Sequence, residues 1–135
     1  MIGVYYIKWV IDVQYKRHES FRYTFQEPEL ATYKLIIEKE GAMVETKQSD
    51  ALVLNLSPNG ARIKTTLDLP IQERKYLLEL QLNLNGTTFS VLGIPVWKRR
   101  EINQYVYGIE ALEDQKTKQI VINELKQFVN SRKKL

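Results

Sequence analysis

Apolar and polar residues alternate at the start of the chain. Tyr5, Ile7, Trp9, Ile11, Val13 and Tyr15 share one parity, and Lys8, Asp12 and Gln14 the other. A period of two predicts a strand with one apolar face. A basic turn follows. "FRYTF" reads as the next strand and stops at "QEPE", because Pro28 has no N–H to give to a ladder. "ATYKLIIEKEG" predicts a third strand closing at Gly41, and "ETKQSDALVLNLS" runs into a fourth that ends at the turn Pro58-Asn59-Gly60. "ARIKTTLDLP" is a strand stopped by Pro70. Leu78, Leu80, Leu82 and Leu84 then alternate with Glu79, Gln81 and Asn83, and Asn85-Gly86 is a hairpin dipeptide with a strand on either side. "QYVYGIEAL" is the last strand.

After Asp114 the period changes. Ile120 or Val121, then Ile122, Leu125, Phe128 and Val129 repeat at three to four residues, which predicts one amphipathic helix. Asp114 suits its N-cap, and the Lys and Arg residues at its end suit the negative pole of the helix dipole. Many short strands and one terminal helix predict a mainly β protein, a small antiparallel barrel flanked by the helix. With 135 residues the chain is one domain. Its parts are an N-terminal extension strand at 1–13, a barrel over 14–113 and the helix at 114–131.

Composition removes several kinds of chemistry. Cysteine is absent and histidine occurs once, at His18. Disulfides, thiolate metal sites and thiol nucleophiles are therefore excluded. A lone imidazole makes a zinc site or a histidine-dependent triad a poor expectation, and no nucleophile, base and orienting group cluster together. No enzyme activity, metal or cofactor is expected. The net charge of +4 suits an anionic ligand or an acidic partner. Basic residues are interspersed with acids, which argues against a nucleic-acid-binding stripe. The opening segment lacks a basic leader and a cleavage site, and Lys8 and Asp12 interrupt it well short of a membrane span. The expected location is cytoplasmic, without membrane insertion.

Candidate chemistry sits in two places. "YKRHESFRYTF" gathers Lys16, Arg17, His18 and Arg22 just before a strand. "LNLSPNGARI", 33 residues beyond Arg22, carries Asn55-x-Ser57-x-x-Gly60 at a strand end. Either stretch alone reads as a solvated turn. Guanidinium groups bind phosphates bidentately and pair with the O6 and N7 edge of guanine. Asn55 and Ser57 offer hydrogen bonds, and Gly60 allows a positive φ or a close approach. Arg62, Trp97 and the run Lys98-Arg99-Arg100 each have a structural role as the simpler explanation.

An arginine-rich turn opening a strand, then [D/N]-x-S-x-x-G, then "LGIPVWKRREINQYVYGIEAL" and a closing helix resembles the PilZ domain family over roughly residues 14–131. The resemblance implies a six-stranded antiparallel barrel and a receptor for the bacterial second messenger cyclic di-GMP. Binding would use Arg17, His18, Arg22, Asn55, Ser57 and Gly60, and would change the conformation of the arginine-rich turn so as to signal to a partner protein. An arginine just before the family's R-x-x-x-R motif, here Arg17, is associated with binding a stacked ligand dimer. The first arginine of that motif is replaced by His18. Loss of one charge-assisted contact costs about 1.5–3 kcal/mol, roughly 10- to 150-fold in affinity. The alternative is a degenerate adaptor that keeps the barrel, does not bind cyclic di-GMP and works by protein–protein contact. The apolar face of the N-terminal strand serves either the core or a homodimer or partner surface.

Overall fold

The computed structural model of the protein describes residues 22–71 and 76–133. The expected N-terminal extension strand, Arg17 and His18 lie outside the described residues. Seven strands and one helix follow in order among the described residues: β1 Tyr23–Lys39, β2 Ala42–Glu45, β3 Ser49–Ser57, β4 Gly60–Thr65, β5 Tyr76–Leu84, β6 Thr87–Glu101, β7 Gln104–Ala111 and α1 Gln115–Lys133. Every strand pairing is antiparallel. Neighbours run β1-β3-β4-β7-β6-β5, and a β1–β5 ladder closes the ring. The expected six-stranded barrel is therefore present. β2 is a short return hairpin on the far end of β1.

β1 departs from the sequence expectation. "FRYTF" and "ATYKLIIEK" are one strand, running through Pro28 instead of ending there. The reason is a register shift between Thr24 and Glu29 in the β1–β3 ladder. A residue inside a bulge gives no hydrogen bond to the partner strand, so proline costs nothing there. Beyond the bulge, β1 pairs with β3 as far as Tyr33, and from Thr32 to Ile37 it pairs with β5 on its other edge.

The alternation read from the sequence points into the barrel. Leu78, Leu80, Leu82 and Leu84 are buried along β5, facing Val53, Ile63, Tyr107 and Ile109 in one core. The hairpin at Asn85-Gly86 forms, with positive φ at both residues as the hairpin turn requires. α1 closes one end of the barrel. Val121, Leu125 and Phe128 are its buried stripe. Phe128 packs edge-on against Tyr23 and Phe25, with ring centroids 5.6 and 5.4 Å apart. Asp114 caps the helix, accepting from the Lys116 and Thr117 backbone N–H groups at 3.1 and 3.4 Å and from the Thr117 hydroxyl at 2.8 Å. The Thr117 hydroxyl bond, ahead of the backbone bonds, holds its carboxyl below the usual range.

Tyrosines close the other end. The Tyr107 hydroxyl donates to Leu67 O at 2.7 Å and accepts from the Leu69 N–H at 2.6 Å. Tyr76 donates to Pro70 O at 2.6 Å. These two phenols tie the segment after β4 across the barrel mouth. Thr65 Oγ1 donates to Asp50 O, so the Tyr33 hydroxyl donates to Thr65 Oγ1 at 3.0 Å.

Burial pushes the Tyr76 and Tyr107 phenols up to about 12. An unfolded phenol ionises near about 10, so the folded state holds these protons longer. Their contribution to stability is complete below pH about 10 and is lost as pH rises through about 12. Denaturant midpoints measured across that window should fall accordingly. Tyr107→Phe leaves the Leu69 N–H without an acceptor, and about 1–3 kcal/mol of stability should go with it. An unchanged midpoint in the variant would show that Tyr107 does not tether the loop.

Candidate ligand site on the outer face of the barrel

Three register irregularities border a single row of residues. They lie between Thr24 and Glu29 on β1, between Val53 and Asn55 on β3, and between Pro95 and Trp97 on β6. Across the row, Thr24 is in register with Asn55, Asn55 with Arg62, Arg62 with Gly108, and Gly108 with Trp97. The bulges decide which way these side chains face. Val53 pairs with the buried Ile63, and strict alternation would turn Asn55 inward as well. The extra residue Leu54 resets the parity, so Asn55 joins Arg62 on the outside while Leu56 and Ala61 return to the core. Val96 does the same on β6, where Pro95 pairs with Ile109 and Trp97 with Gly108.

The row is close-packed. The Arg62 guanidinium lies 5.2 Å from the centroid of the Trp97 ring, a cation–π arrangement. The indole lies across the Gly108 backbone, where an added Cβ would sit 2.0 Å from Trp97 Nε1. Trp97 stays about one-third open to solvent. Asn55 is buried, with only 5% of its surface exposed. Its Oδ1 and the Nε of Arg62 are both buried without a hydrogen-bond partner among the described residues. Buried polar groups are nearly always paired, so these two atoms on register neighbours are open to a further partner.

The Pro58-Asn59 turn borders the row. The Ser57 hydroxyl is buried, accepts from the Asn59 N–H at 3.2 Å and donates to Gly60 O at 3.4 Å. Its hydrogen bonds shape the turn. Gly60 has φ of 153°, and an added Cβ would sit 2.0 Å from the carbonyl oxygen of Ile109. β4 and β7 approach here in a way only glycine permits. Arg22 is exposed and immediately precedes Tyr23, which is in register with Leu56. The chain therefore enters the barrel beside the Asn55–Ser57 segment. Of the expected site residues, Arg22, Asn55, Ser57 and Gly60 fall in one region, and Arg17 and His18 are the two outside the described residues.

Neighbouring cations are engaged elsewhere. Lys98 bonds Asp68 at 2.6 Å and Leu69 O at 3.1 Å. Arg99 and Lys64 both reach Glu101, at 3.0 and 3.2 Å. The Lys64 bond first, then Arg99, holds the Glu101 carboxyl below its usual range. The basic run after Trp97 is thus partly an ion-pair network. Arg62 and Trp97 belong to the row, although sequence reading gave both a structural role first. The two stand 35 positions apart in the chain, and only the β6 and β3 bulges bring them to the same face as Asn55.

Comparison with protein families matches the PilZ domain over residues 16–131. Among solved structures, the PilZ domain of CeSA from a cellulose-synthesizing bacterium is similar in fold, with a TM-score of 0.52. It is 14% identical, over 76% of this chain and 92% of that one. Comparison with curated proteins finds no match.

The geometry at Gly60 predicts a large response to a single methyl group. Gly60→Ala should lower stability by at least about 2 kcal/mol, because the strained backbone and the Ile109 carbonyl both oppose it. Chemical denaturation tests this. A loss below about 0.5 kcal/mol would mean that β4 and β7 can separate freely at this point.

Proposed function

Because this chain belongs to the PilZ domain family, we propose that it is a receptor for cyclic di-GMP and that the ligand binds on the bulged row. The reading is carried by the buried, unpartnered Oδ1 of Asn55, beside the point where Arg22 leads into the barrel. Arg22 and Arg17 supply guanidinium groups to phosphate or guanine. Asn55 hydrogen-bonds a guanine edge. Ser57 and Gly60 act mainly by shaping the turn that holds Asn55 in place. Ligand binding then changes the conformation of the arginine-rich turn, and the altered surface signals to a partner protein. The site is a binding site without catalysis, and the protein works in the cytoplasm, where a second messenger would meet it.

His18 stands where the family motif has its first arginine. An imidazole donates one hydrogen bond when neutral and two when protonated, and histidine is the side chain whose ordinary charge change falls between pH 5 and 8. Affinity should therefore rise as pH falls from 8 towards 6. A flat pH profile would give His18 no charge role.

Calorimetric titration of cyclic di-GMP into the full chain at pH 7 tests the reading. Saturable binding at micromolar concentration is expected. Arg22→Ala should weaken it roughly 10- to 150-fold, the loss of one charge-assisted contact. Stoichiometry reports whether one ligand or a stacked pair binds. No binding by the unaltered protein would leave the adaptor role, with His18 marking a silenced site.

A further inference from the structure

We propose that Arg62 reads a guanine edge jointly with Asn55, as a specificity-determining residue of this site. The inference rests on the receptor reading above and adds a residue outside both sequence motifs. Arg62 lies at the centre of the row, in register with Asn55 on one side and with Gly108 on the other. Contact with the Trp97 ring holds its guanidinium in place. Among the described residues no carboxylate forms an ion pair with it. A guanidinium fixed in this way meets a ligand with little further loss of freedom.

The two unpartnered atoms identify the chemistry. Arg62 Nε is a donor and Asn55 Oδ1 an acceptor, both buried, on paired residues of adjacent strands. A phosphate presents acceptors alone. It could satisfy Arg62 and would leave Asn55 Oδ1 bare, or repel it. A guanine edge presents the N1–H and N2–H donors next to the O6 acceptor, and so satisfies both atoms at once. Arg62 therefore recognises base, leaving phosphate to the arginines of the N-terminal turn. A purely structural Arg62, a cover for Trp97, would affect stability without affecting which base is bound.

The test compares cyclic di-GMP with cyclic GMP–AMP, which keeps both phosphates and replaces one guanine by adenine. Calorimetric affinities are measured on the full chain, on Arg62→Ala, on Arg62→Lys, and on Arg100→Ala as a control that removes an exposed charge from the same sheet. Thermal unfolding accompanies each variant. The unaltered protein should prefer cyclic di-GMP. Arg62→Ala should weaken cyclic di-GMP at least tenfold and shrink that preference by a similar factor. Arg62→Lys keeps charge and fold without the planar fork, and should recover neither. Arg100→Ala should change neither affinity. If Arg62→Ala binds like the unaltered protein while Arg22→Ala does not, Arg62 is structural and the receptor reading survives. Equal weakening for both ligands, or no preference in the unaltered protein, overturns base reading. Absence of any binding in the unaltered protein overturns both readings.

Discussion

The molecule depends on β1 remaining a single strand from Tyr23 to Lys39. Its first half is hydrogen-bonded to β3 and its second half to β5, so one strand supplies both sides of the seam that closes the ring. Closure leaves no open edge among the six ring strands, which is the general advantage of a barrel. The same strand carries Tyr23 and Phe25 into the aromatic contact with Phe128 of the helix. Core, helix and the entrance to the candidate site are thus linked where the chain enters β1.

Closing a small ring forces strands to coil, and bulges are where coiling is absorbed. Here the bulges on β1, β3 and β6 fall against one row, the candidate site. The bulges on β3 and β6 each turn outward a side chain that strict alternation would have buried. Asn55 and Trp97 owe their position to that reset, and Arg62 becomes significant because it stands between them. Gly108 and Gly60 provide the two flat places the arrangement needs, one under the indole and one beneath the Ile109 carbonyl.

Much of the fold was legible in the sequence because the signals are local. The leucine alternation of β5, the Asn85-Gly86 turn and the Val121, Leu125, Phe128 stripe each lie within one element, and each appears where its pattern put it. Pro28 misled because its lost hydrogen bond matters only on a regular ladder, and the bulge on β1 that spares it is set by pairing with β3, which leaves no local mark in the sequence. The motif Asn55-x-Ser57-x-x-Gly60 was legible as a turn with polar residues. The division of labour within it, with Ser57 bonded into the turn and Asn55 left bare, depends on packing. Arg62 and Trp97 were hardest to find. Their meeting is set by the registers of β4, β7 and β6, which no spacing rule encodes.

The row from Asn55 to Trp97 is the proposed seat of the ligand. Two-dimensional amide NMR of the isotope-labelled full chain, titrated with cyclic di-GMP, addresses it directly. The Trp97 indole N–H, the Asn55 side-chain amide and the backbone of residues 54–62 should shift together and saturate together. The amides of β5, a strand the row does not reach, should hardly move. Saturating ligand that leaves the Asn55 and Trp97 signals in place, or shifts centred on β5, would contradict the account.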